Sequence, residues 1–228
     1  MSETTETATA ATTATTATDT PSEPETDSQY WARYYEVTVD RPAWQTVKKA
    51  IELFAAEGRP APENSGFAVD LGCGGGRDSR ELLRAGWRLL SMDREAEGIR
   101  VLGEKAAAEG IDARLTTTTG DFATFEVPPC DLVNASLCLP FVPRDQFDGM
   151  WNRIVAALPS GGRFAAMVFG DRDASAGEDG VTCLPASEFD RMLDGFDIEF
   201  WSDTEDDKPT ALGEPHHFHL IEFVARKR

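Results

Sequence analysis

Cysteine is scarce in this 228-residue chain: Cys73, Cys130, Cys138 and Cys183, with no C-x-x-C pair among them. That spacing excludes a zinc knuckle, and a chain long enough to bury its own core has no need of disulfide staples. Positive charge is scarce too, with 22 Lys and Arg against 40 Asp and Glu, a formal charge of −18. Such a field repels a phosphate backbone or an anionic bilayer, so nucleic acid and membrane are set aside as partners. No apolar run approaches the ~18–20 residues that cross a bilayer. The first residues lack the basic start and apolar core of a secretory signal and the Arg of a mitochondrial presequence, so the expected location is cytoplasmic.

Hydrophobic residues still make up 41% of the chain, enough for a sizeable core, but they are unevenly spread. Residues 1–29 are Thr/Ala-rich, with six acids and no Lys, Arg or aromatic. They cannot bury enough apolar surface to offset chain entropy and are read as a disordered acidic tail. Residues 30–228 are read as one folded domain. It opens on the aromatic cluster Tyr30, Trp31, Tyr34 and Tyr35. A helical spacing of Trp44, Val47, Ile51 and Phe54 follows and is closed by Pro60 and Pro62.

From there short apolar runs alternate with amphipathic ones. Strands are expected at 67–71, 87–92, 113–118, 131–136 and 162–169, and helices at 77–85, 95–109 and 146–158. Alternation of this kind means βαβ units and a mostly parallel sheet covered by helices. The end differs: a helix over 185–193 is followed by strands near Phe196–Trp201 and His217–Ala225, with a polar loop between them. Two successive strands without a helix imply an antiparallel hairpin. The fold class is α/β, a doubly wound sheet with that hairpin at its end.

The most informative segment is Ala68-Val-Asp-Leu-Gly-Cys-Gly-Gly-Gly-Arg77, where Gly72, Gly74 and Gly76 follow a strand and open a helix. Glycines there allow a tight turn and a close ligand, and the helix start offers free N–H groups. Dinucleotides and S-adenosylmethionine both use such a turn. The dinucleotide fingerprint G-x-G-x-x-G/A would need a small residue where this chain has Arg77. Asp70, two residues before the first glycine, is awkward for a pyrophosphate and suits the cationic methionine end. Asp93, at the end of the second strand, can accept both ribose hydroxyls of either ligand.

On these residues the chain resembles class I S-adenosylmethionine-dependent methyltransferases, from about Tyr30 onward. Trp31-x-x-Tyr-Tyr35, Arg41-Pro42, Gly170-Asp-Arg-Asp173 and His216-His-x-His219 make it similar to the small, tellurite-resistance-like branch. The resemblance implies a seven-stranded sheet in the order 3-2-1-4-5-7-6, S-adenosylmethionine as cofactor and a small-molecule acceptor; the expected assembly, which the sequence does not fix, is a monomer or homodimer. It also implies that Asp70, Gly72, Cys73, Gly74 and Gly76 form the methionine-binding turn, and that Asp93 and Arg94 meet the ribose. Asp121 and Phe122 would border the adenine, and Asn134, Ala135 and Ser136 would face the methyl donor. Arg41 is a candidate for the methionine carboxylate.

No catalytic base stands out. Tyr34 and Tyr35 are candidates as a lid whose rings meet the sulfonium by cation–π attraction, against plain packing of a loose N-terminus. His217 and His219 share a strand face and are candidates for a base or a substrate contact. No second ligand cluster supports a metal, and none is expected. Two other readings stay open: an NAD(P)-dependent oxidoreductase on a similar sheet, and a non-catalytic S-adenosylmethionine binder.

Overall fold

The computed structural model describes residues 26–60, 65–122 and 124–228. Residues 1–25 of the expected tail, and Pro62, lie outside the described residues. The first helix, α1 (Asp27–Thr38), takes in the end of the segment read as tail and the whole aromatic cluster. Its start is set by a capping box in which Thr26 and Gln29 satisfy each other's backbone N–H. α2 (Gln45–Ala56) follows, with Val47, Ala50 and Phe54 on its buried face.

The alternating run gives β1 (Phe67–Leu71), α3 (Arg77–Arg84), β2 (Arg88–Asp93), α4 (Ala96–Ala108), β3 (Leu115–Thr119), β4 (Leu132–Ser136), α5 (Arg144–Ala157) and β5 (Arg163–Phe169). α6 (Ala186–Met192) leads into β6 (Phe196–Pro209) and β7 (Pro215–Lys227). The seven strands form one sheet in the order β3-β2-β1-β4-β5-β7-β6. β7 runs antiparallel to both neighbours, and the other pairings are parallel. Among the described residues no helix is long and apolar enough to cross a membrane.

Neighbouring residues on each strand feed opposite faces, as the pleat requires. Ala68, Leu132, Ala165 and Val224 pack under α2, α3 and α4. Val69, Val133, Phe164 and Phe223 pack under α5 and α6. β5 is buried along its full length, as a central strand covered on both faces must be.

Two expectations need correction. The third strand starts at Leu115, because Asp112–Arg114 closes a short 3₁₀ turn. The hairpin is also longer than its hydrophobicity suggested. The residues read as a polar loop continue both strands, leaving only 210–214 as the turn. Residues 203–209 carry no apolar alternation to read. They hold strand geometry through the backbone ladder to β7, unbroken from Asp203–Ile221 to Pro209–Pro215, with exposed charge pairs beside it: Asp207 with His217 at 2.7 Å and Glu205 with Arg172 at 2.7 Å. Acids along an outer strand also discourage edge-to-edge pairing.

Candidate active site

The turn from β1 into α3 is constrained by torsion and by space. Gly72 (φ +60°) and Gly76 (φ +83°) adopt the left-handed conformation that side chains disfavour. A Cβ at Gly76 would overlap Leu102, and one at Gly72 would overlap Cys138. The Cys73 N–H donates to the Met92 carbonyl at 3.0 Å, which pins the turn to the end of β2. Both Cys73 and Cys138 are buried thiols, and burial pushes each well above the ordinary thiol range.

Asp93 stands at that end of β2. Its Oδ2 accepts the Gly74 N–H at 2.7 Å, and its Oδ1 accepts the Glu95 N–H at 2.8 Å and the Tyr35 hydroxyl at 3.2 Å. Burial raises the carboxyl above its usual range, and those hydrogen bonds pull it back. Arg94 is exposed and pairs with Glu95 at 3.2 Å.

Asp70 faces inward, beneath the turn. Its Oδ2 accepts from Ser79 Oγ at 2.5 Å and its Oδ1 from Asn134 Nδ2 at 2.8 Å. The same amide donates to Asp78 Oδ2 at 3.1 Å, and Asp78 Oδ1 accepts the Trp44 N–H at 2.9 Å. One buried network therefore fastens β1, β4, α3 and the start of α2 together. Burial, and then the neighbouring Asp78, push the Asp70 carboxyl up to about 7. Asp78 and Ser79 were missed in the sequence, where both read as ordinary first-turn helix residues. Ser136 reaches the Asn134 Oδ1 at 3.4 Å, whereas the Ala135 side chain belongs to the core, so only its backbone is available.

Past β3, the Gly120 N–H donates to the Asp93 carbonyl at 3.0 Å, which brings the next residues to the turn. Phe122 Cζ lies 3.3 Å from where a Gly72 Cβ would stand. Arg153 on α5 holds this loop through the carbonyls of Phe122 and Phe125. Asp121 is exposed, and its carbonyl accepts the Phe125 N–H at 2.9 Å.

α1 covers the turn. Tyr35 Cε1 lies 2.9 Å from where a Gly74 Cβ would be, and Ser28 donates to Glu95 at 2.9 Å. Trp31 stacks on Tyr35 at 6.3 Å and meets Phe141 edge-on at 5.1 Å. Burial raises both the Tyr34 and Tyr35 phenols, so each keeps its proton and can donate a hydrogen bond but is a poor base. The Arg41 guanidinium donates to the carbonyls of Val37 at 3.1 Å and Ala211 at 3.5 Å, joining the N-terminal segment to the hairpin turn.

The two histidine candidates stand apart from the turn, on the hairpin, with both ring nitrogens engaged. His219 is fully buried; its Nδ1 accepts the Arg172 N–H at 3.0 Å and its Nε2 meets Asp203 at 2.8 Å. His217 bridges Asp207 at 2.7 Å and Glu205 at 3.3 Å, and these acids raise its imidazole above the ordinary value. Neither offers a free lone pair, so neither is placed as a base. Among the described residues no group of His, Cys, Asp and Glu is set to hold a metal ion.

Residues 68–162 match a protein family described as a methyltransferase domain. The match runs from β1 through α5, and the sheet has the strand order of the Rossmann-like methyltransferase fold. No curated protein matches it in sequence. Among solved structures, TehB from Haemophilus influenzae is similar at 18% identity over 88% of this chain and 67% of that one, with a TM-score of 0.69. Magnesium protoporphyrin IX methyltransferase from Synechocystis PCC 6803, with bound SAH, aligns at 16% identity over 90% of this chain and 89% of that one, TM-score 0.61. The [4+2]-cyclase SpnF aligns at 17% identity over 82% of this chain and 84% of that one, TM-score 0.57. These likenesses concern the fold.

Proposed function

We propose that this protein transfers a methyl group from S-adenosylmethionine to a small-molecule acceptor. The observation that carries the reading is the joint placement of Asp93, the Gly72–Gly76 turn and Phe122 at the carboxyl edge of β1–β3. A carboxylate there suits a vicinal diol, and an aromatic edge suits a purine. Bound in that seat, the sulfonium supplies an electrophilic methyl and its own leaving group.

The chain's own residues then align and shield. The Asp70–Asn134–Asp78 network fixes the floor of the turn, so that Ser136 and the backbone of Ala135 present a rigid edge. α1 excludes water from above. Positioning of this kind is the main source of rate when the leaving group is already good. Asp70 and Arg41 act in this account through the floor and the hairpin turn that they hold.

Against a dinucleotide, Arg77 stands where a third glycine would be, and its side chain lies over the Trp44 ring at 4.2 Å while donating to the Pro42 carbonyl. The four cysteines are free thiols, which suits a reducing, cytoplasmic setting, and the acidic surface argues against nucleic acid as the acceptor. The test is an amide NMR map on adding S-adenosylhomocysteine. Shifts confined to 72–76, 93–95, 120–122 and 134–138 are expected. Shifts elsewhere, or none, would overturn the site assignment.

A further inference from the structure

The hairpin carries three histidines, and only one keeps a ring nitrogen free. His216 Nε2 lies 2.9 Å from Asp173 Oδ1. A carboxylate only accepts, so Nε2 carries the hydrogen and Nδ1 is left as a bare lone pair. No described residue bonds that Nδ1. Asp173 is itself fixed: it is 3% exposed and accepts the backbone N–H of Ser175 at 3.0 Å and of His219 at 3.0 Å. The pair has the geometry of a general base oriented by an acid.

Its surroundings suit an organic acceptor. β7 pairs Leu220 with Phe169 at the end of β5, so His216, Phe218 and Leu220 share one face above the sheet's carboxyl edge. The His216 ring lies 4.3 Å from Phe218 and 6.4 Å from Phe169. Phe218 joins the same apolar cluster as Leu137, which directly follows Ser136. His216 also lines a cleft of about 550 Å³ bounded by Ala174, Lys208 and Pro215. Asp173, Asp207, Lys208 and His217 are the charged or titratable groups around it.

We propose that His216, oriented by Asp173, takes the proton from a hydroxyl or N–H acceptor of aromatic character held between these rings. This rests on the methyl-donor reading above. In the step, Nδ1 removes the acceptor's proton as the acceptor's oxygen or nitrogen bonds to the methyl carbon. The carbon–sulfur bond breaks, and its electron pair stays on sulfur as the neutral thioether. Asp173 balances the imidazolium, which returns its proton to solvent through the cleft.

The experiment follows S-adenosylhomocysteine release from S-adenosylmethionine with phenol, catechol and indole as probes. It compares the full chain with His216→Ala, with added imidazole, and with donor affinity and melting temperature measured on both proteins. The wild type is expected to turn over at least one probe. The variant should keep its melting temperature and its donor affinity within about threefold, lose roughly 10²–10⁴-fold in kcat, and regain part of it with imidazole. Nitrogen-detected NMR of the wild-type ring should show the hydrogen on Nε2. An unchanged kcat, a loss that imidazole leaves untouched, or a hydrogen on Nδ1 would overturn the proposal. So would a wild type that binds the donor yet methylates none of the probes. A wild type that does not bind the donor brings down the donor reading itself, a different signature.

Discussion

Removing a single oxygen, in Tyr35→Phe, should tighten the binding of S-adenosylmethionine. A carboxylate offers about four lone-pair positions. Asp93 already gives three, to Gly74, Glu95 and Tyr35, so one is left for a ribose that brings two hydroxyls. The two backbone donors belong to the turn and to the start of α4 and cannot leave without unmaking them. The Tyr35 hydroxyl, at 3.2 Å the longest of the three, is the one that yields. A hydrogen bond to a charged group nets about 1.5–3 kcal/mol, and the long contact places this one at the lower end. Deleting it lowers the cost of entry by about 1.4 kcal/mol, or roughly tenfold in Kd. Isothermal titration of both proteins reads the affinity, and Trp31 fluorescence reads the displacement, since that ring stacks on Tyr35 at 6.3 Å. Binding tenfold weaker in Tyr35→Phe would refute the reasoning and make the hydroxyl a cofactor contact.

Gly76→Ala should destabilise by about 2–4 kcal/mol in urea unfolding, from the left-handed backbone plus the overlap with Leu102; a change under about 1 kcal/mol would contradict it. Asp70, raised from 3.8 to about 7 by burial and Asp78, holds a proton in the folded chain that the unfolded chain has released across that interval. Stability should therefore fall as pH rises from about 4 to about 7, and Asp70→Asn should remove that component. Urea midpoints at both ends of the window, compared between the two proteins, check the sign, and parallel profiles would refute it. The His217 ring, held by Asp207 and Glu205, should titrate above the ordinary 6.5 by NMR and move back toward it in Asp207→Asn.

The βαβ rhythm was legible because each strand and helix is apolar with its own period; β1 occupies Phe67–Leu71 as its apolar run indicated. The turn was legible because glycine answers a backbone demand that no other residue meets. Other parts were hidden for physical reasons. The outer hairpin is held by a backbone ladder along which the β6 side chains are mostly charged, so its strands read as loop. Asp78 and Ser79 join the buried network only through a contact across four elements, a long-range fact with no local pattern. The His216–Asp173 pair spans 43 residues, while the sequence pattern drew attention to His217 and His219, the two whose nitrogens are engaged. Even the helix beginning at Asp27 was masked by the tail-like composition around its capping box.

Calorimetric titration with S-adenosylmethionine, S-adenosylhomocysteine and NADH, repeated on Asp93→Ala, reads the donor seat itself. Both adenosyl ligands should bind and NADH should not, and the substitution should weaken binding at least ~10-fold, about 1.4 kcal/mol. Tight binding of NADH with no signal from either adenosyl ligand would contradict the methyl-donor reading.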